Sequence, residues 1–146
     1  MGFFSNFFQS TPVTIKINDE REAYASILLA CMESDGDLSE EEKTSFYMSL
    51  KSRPLFSSLD IVELISKAVN NINKIGSSAG VIDAAAGAIT VNTKLALFIN
   101  CVDIILSDGQ VTKQEEEILD YIKSKFGVDD TFASTVIQIL LIKNKV

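Results

Sequence analysis

Two short stretches of the chain carry carboxylates at a spacing that suits chemistry. Ser34-Asp-Gly-Asp-Leu-Ser-Glu-Glu-Glu42 and Ser107-Asp-Gly-Gln-Val-Thr-Lys-Gln-Glu115 align without a gap, with Asp35 against Asp108 and Glu42 against Glu115, each pair 73 positions apart. Carboxylate and carbonyl oxygens at such turns suit a hard divalent cation (Ca²⁺, Mg²⁺ or Mn²⁺) better than Zn²⁺. Aspartate, glycine, five residues and glutamate also form the second half of an EF-hand loop. The first half is missing, because loop positions one and three fall on Cys31 and Glu33 in one copy and on Ile104 and Leu106 in the other. Neither copy is therefore an EF-hand. The same residues have a purely structural use. Glycine closes a helix with a positive φ, the aspartate bonds back to turn amides, and Ser39 with Glu42, or Thr112 with Glu115, has the spacing of a capping box. A cation at Asp35, Glu42, Asp108 and Glu115, or no ligand at all, are the two readings of the repeat. A glutamate spent on a cap cannot serve fully as a ligand, which counts against the first.

Other chemistry is sparse. The 146 residues carry a net charge of −7 and contain no histidine and no tryptophan. Without histidine the usual general base near neutral pH is missing. No activated nucleophile or phosphate-cradling glycine loop is present, so an enzyme is not expected. An acidic surface repels phosphate backbones, which argues against nucleic acid as a partner. Cys31 and Cys101 form no C-x-x-C pair and read as two small buried thiols in a reducing compartment rather than a disulfide. Asp103 is the one acid amid an apolar helix and is expected to reach a rim or a backbone donor. Phe3, Phe4, Phe7 and Phe8 fall at helical spacing in residues 1–17. They would either cover the domain's own groove or dock a partner helix or a membrane surface.

The N-terminus has no basic region before an apolar core and does not read as a signal peptide. Asn6 stands where N-myristoylation of Gly2 would need a hydroxyl. The longest apolar tract, residues 81–106, is interrupted by Asp83, Lys94, Asn100 and Asp103, making it a poor membrane span. A soluble cytoplasmic protein, not an integral membrane protein, is expected.

The elements that carry the turns are helical, since proline (2) and glycine (7) are too few for much irregular chain. Asn18 is placed to cap a first helix with Asp19, Glu20 and Glu22 at its positive end, and Tyr24, Ile27, Leu28 and Cys31 as one apolar stripe. A second helix starts after Ser39, carries Phe46 and Leu50 and ends before Arg53-Pro54. A third spans about residues 59–74, with Ile61, Leu64, Ile65, Ala68 and Ile72 inward. Residues 76–80 read as the one flexible joint between halves, followed by a short alanine-rich helix over 81–88. The helix from Asn92 is apolar nearly all round, which predicts the centre of the domain. Beyond Thr112, Ile118, Leu119, Ile122 and Phe126 form an inner face closed by Gly127. Asp129 or Asp130 then caps a last helix with Phe132, Val136, Ile139 and Leu140 inward. Leu38 and Val111 are expected to staple the two turns to the core. The fold class is all-α: about seven helices in one bundle, from two pseudo-twofold-related helix–turn–helix halves over about 18–75 and 92–146, with residues 1–17 as a separate segment and 18–146 as the domain.

The paired turns, with the segments Phe56-Ser-Ser-Leu-Asp-Ile-Val-Glu-Leu-Ile65, Thr93-Lys-Leu-Ala-Leu97 and Phe126-Gly-Val-Asp-Asp130, resemble the TerB tellurite-resistance family over about residues 22–132. The resemblance implies an all-helical two-half bundle and a non-enzymatic role in bacterial resistance to tellurite and related stress. It further implies work beside a membrane-associated protein partner at the inner face of the membrane, and metal binding by the acidic turns. Residue by residue that names Asp35, Glu42, Asp108 and Glu115. The first turn is about one residue longer than the family's usual form, so Glu41 is a neighbour that a shift could substitute. Nothing carries over onto residues 76–91. A structural interaction adaptor without a metal site is the alternative.

Overall fold

The computed structural model describes residues 15–32, 39–107 and 109–145. Among them are seven α-helices and no strand: α1 (Glu20–Met32), α2 (Glu40–Lys51), α3 (Ile61–Ile75), α4 (Ser78–Ala86), α5 (Val91–Leu106), α6 (Lys113–Phe126) and α7 (Asp130–Lys143), with a 3-10 turn at Pro54–Phe56 between α2 and α3. The all-helical class read from the sequence holds. Asp19, not Asn18, caps α1: its carboxylate accepts from the amides of Arg21 at 2.8 Å and Glu22 at 3.2 Å. Its carbonyl takes the first helical bond, from Ala23, so the helix begins one residue later than the sequence suggested.

The helix at the centre is α1, not α5. Every residue from Ala23 to Met32 is buried, because α1 packs against α3, α4 and α5 at once. Ala23, Ala25 and Ala30 let those neighbours approach, while Ile27, Leu28 and Leu29 fill the space between them. Full burial of each large side chain stabilises the fold by about 1.5–3 kcal/mol. Two polar side chains of this helix are satisfied from one neighbour: Asn71 on α3 donates to Glu22 Oε2 at 2.8 Å and to Ser26 Oγ at 3.1 Å. By contrast α5 leaves Leu95 and Ile99 exposed. Ile139 on α7 is likewise 58% exposed rather than inward.

The expected joint at residues 76–80 is also mostly helix. Ser77 caps α4 by accepting from the Gly80 amide at 3.1 Å, and Ser78, Ala79 and Gly80 are buried in its first turn. Only Gly76, at φ 84°, and Ser77 remain between α3 and α4. Small residues at that start allow α4 to sit between α1, α3 and α6. Two long-range bonds fix the ends of α1 and α4: Ile17 N–H donates to the Ala84 carbonyl at 2.9 Å, and Thr90 N–H to Glu20 Oε2 at 2.7 Å. Burial opposes the charge on Glu20, yet the bonds from Thr90 and Thr93 outweigh it and hold the carboxyl below its usual range.

The sequence repeat survives at the helix starts. α2 begins at Glu40 and α6 at Lys113, keeping the 73-residue offset. α4 has no counterpart in the second half. Residues 1–8, with their four phenylalanines, lie outside the described residues, as does Leu38. Val111, expected inward, is 36% exposed.

Candidate functional site

Both turns were read as caps, and both caps form. Ser39 Oγ accepts from the Glu42 amide at 3.1 Å, and Glu42 Oε1 accepts from the Ser39 amide at 3.0 Å. In the second copy Thr112 Oγ1 accepts from the Glu115 amide at 3.1 Å, and Glu115 Oε1 from the Thr112 amide at 2.9 Å. Each box satisfies amides that the first turn of a helix leaves without intrahelical partners, and puts a negative charge at the positive end of the helix dipole. Gly109 adopts φ 78°, the positive value that its turn requires. Asp35 and Asp108, the other two expected ligands, lie outside the described residues.

Tertiary packing brings the two caps to one place. A cleft of about 650 Å³ is bounded by the end of α1, most of α2, the second half of α5, the start of α6 and the C-terminal end of α7. Glu42 and Glu115 both line it, with Glu41 beside the first and Asp103 on its rim. The two glutamates differ in exposure: Glu115 is 5% exposed, whereas Glu42 faces solvent. Met32 and Ser39, which flank residues 33–38, and Ser107, which precedes Asp108, line the same cleft.

Asp103 reaches the rim, as its position in an apolar helix suggested. Lys143 Nζ meets Asp103 Oδ2 at 2.9 Å and Oδ1 at 3.2 Å, and Asn144 Nδ2 donates to Oδ1 at 3.2 Å. This ion pair is solvent-exposed and contributes little to stability, about 0–1 kcal/mol. It does tie the end of α7 to α5. Lys143 is the sole cation among the cleft's described lining residues, against the carboxylates of Glu41, Glu42, Asp103 and Glu115, so the cleft is acidic.

Two features of the cleft were not foreseen from the sequence. Asn100 lies in it, 7% exposed, donating to Tyr24 Oη at 3.0 Å. Cys31 lines it as well. Each residue sits on an apolar helical face in the sequence, and only the packing of α1 on α5 sets them together. A polar Asn100 amid an apolar run was the one available signal.

The donor set is composed of carboxylates, the hydroxyls of Ser39, Ser45, Ser49 and Ser107, and the amides of Asn100 and Asn144. Such oxygens fit a hard divalent cation. Among the described residues, however, no three acidic or thiol side chains converge closely enough to hold an ion.

A family model described as Tellurite resistance protein TerB matches residues 21–136. The chain belongs to the TerB family. The match runs from the first turn of α1 into the middle of α7 and includes both capping boxes and the cleft residues up to Glu115. No curated protein and no solved structure matches the chain. Among the described residues of this TerB-family protein, no helix is long and apolar enough to cross a membrane.

Proposed function

We propose that this TerB-family protein is a non-enzymatic stress-response module that takes a divalent cation at the mouth of the acidic cleft, with Asp35, Glu42, Asp108 and Glu115 as its carboxylates. The observation that carries this reading is the lining of one cleft by both capping-box glutamates, which stand 73 positions apart in the sequence. Glu42 caps through Oε1, which leaves Oε2 outside that bond. Repulsion among gathered carboxylates is relieved by a bound cation, so binding would stabilise the end of α1, the start of α2 and the start of α6 together. Signalling then passes to a membrane-associated protein partner at the inner face of the membrane, through surfaces that ion binding orders.

Calorimetric titration with Ca²⁺, Mg²⁺ and Mn²⁺ tests the proposal, with Asp35→Ala and Asp108→Ala as controls. Heat that saturates in the wild type and is lost in both variants supports it. No heat at millimolar ion removes the metal from the account and leaves the second reading, a structural adaptor. That reading is favoured by the exposed Leu95 and Ile99 on α5, and Ile139 and Ile142 on α7. These apolar side chains are exposed among the described residues.

A further inference from the structure

Helix α5 presents to solvent a stripe that the cation reading does not use. Val91, Leu95 and Ile99 follow one another at intervals of four and are 77%, 43% and 38% exposed. Side chains so spaced lie along one side of a helix, here over about 12 Å. The stretch is nearly uncharged as well as apolar. From Val91 to Val102 its one charged side chain is Lys94, whose Nζ lies 5.9 Å from the centre of the Phe126 ring on α6. The start of the described chain runs past the foot of this stripe. Ile17 N–H donates to the Ala84 carbonyl near the end of α4, and Glu20 accepts from the amide of Thr90, the residue before Val91. Ile15 is the first described residue, so residues 1–14 join the fold two positions before the first of these bonds.

We propose that residues 3–8 of this chain dock on the Val91, Leu95 and Ile99 face of α5 as an intramolecular strap. Residues 1–14 contain no aspartate, glutamate, lysine or arginine. Their phenylalanines pair at the spacing of the stripe, Phe3 with Phe7 and Phe4 with Phe8. Uncharged chain on an uncharged face buries apolar surface without stranding a charge. Residues 9–14 reach up to about 20 Å when extended, longer than the stripe itself. Attachment through Ile15 presents the segment at about millimolar effective concentration, which favours it over a second copy of the chain. An anionic lipid surface draws on clustered lysine and arginine, and neither the segment nor the stripe supplies such a cluster. A partner helix that uses this face must displace residues 3–8, so the strap gates the adaptor surface. The proposal is independent of any ion in the acidic cleft.

Nuclear Overhauser contacts in the isotope-labelled full chain test the proposal. The expected result is a set of contacts from the Phe3, Phe4, Phe7 and Phe8 rings to the methyl groups of Val91, Leu95 and Ile99. In a mixture of labelled and unlabelled chain, the same contacts should be missing from the interchain-filtered spectrum. Chymotrypsin under native conditions should cut within residues 3–8 about tenfold faster in Leu95→Asp than in the wild type. Ile142→Asp on α7, at a position 70% exposed, should leave that rate unchanged. Rings without contacts to these methyl groups would overturn the proposal, as would equal cleavage of wild type and Leu95→Asp. Contacts found only between chains would assign the face to a second copy, and rings that respond only to phosphatidylglycerol vesicles would assign the segment to a lipid surface; either overturns the strap. The wild-type spectrum decides the matter without any variant having to fold.

Discussion

Asn100 on α5 donates a hydrogen bond to the phenolic oxygen of Tyr24 on α1 at 3.0 Å, joining the two halves of the chain inside the core. The Tyr24 ring also meets Phe56 edge-on, with centroids 5.4 Å apart. Burial pushes the Tyr24 phenol up, partly offset by the Arg53 charge and by this bond. Removing one partner leaves a buried polar atom unmatched, so Asn100→Ala should cost about 1–3 kcal/mol in urea unfolding. Tyr24→Phe and Asn100→Ala together should cost less than the sum of the two. Strict additivity would mean that the bond contributes nothing.

The two capping boxes should respond unequally to loss of their glutamates. Ser39→Ala and Thr112→Ala should each cost about 1 kcal/mol, the usual worth of an N-cap. Glu115 is 5% exposed and Glu42 is exposed, so Glu115→Ala should destabilise the fold more than Glu42→Ala. Denaturation in chelator compares the two without any ion, and equal effects would contradict the difference in burial.

Tyr121 provides a pH signature at the contact between α4 and α6. Its hydroxyl donates to Asp83 Oδ1 at 2.6 Å, and Lys125 meets the same carboxylate at 3.0 Å. Burial first, then the bond to Asp83 and that residue's charge, raise the Tyr121 phenol from 10.0 to about 12. A raised folded value favours the protonated form, so this bond's stabilisation is fully present below pH 10 and is lost as the pH climbs toward 12. Asp83→Asn should shift one high-pH phenolate absorbance step to lower pH, and Tyr121→Phe should remove that step. A step unchanged in Asp83→Asn would refute the assignment.

The exchange of roles between α1 and α5 can be measured directly. Leu28 is fully buried, and Leu28→Ala should cost about 2–5 kcal/mol. Leu95 is 43% exposed, and Leu95→Ala should change stability by only about 0.5 kcal/mol. Comparable losses at both positions would put α5 back in the centre.

Helix positions and caps were legible in the sequence because they are local. Ser39 with Glu42, Thr112 with Glu115, and Gly127 at the end of α6 act within one turn of chain, so their spacing alone specified them. The inner faces of α3 and α6 were equally plain from their period. What periodicity could not rank was burial among helices that are all apolar. Ala23, Ala25 and Ala30 gave α1 the closer neighbours, and α5, with larger side chains, kept one face in solvent. The repeated turns could be read from the sequence, but their meeting could not. Residues 73 positions apart face one cleft only because α1 packs against α5 and α7 closes over the rim through Lys143 and Asp103. The same packing sets Asn100 against Tyr24. Local hydrogen bonding wrote the turns into the sequence; competition for a limited interior decided what they surround.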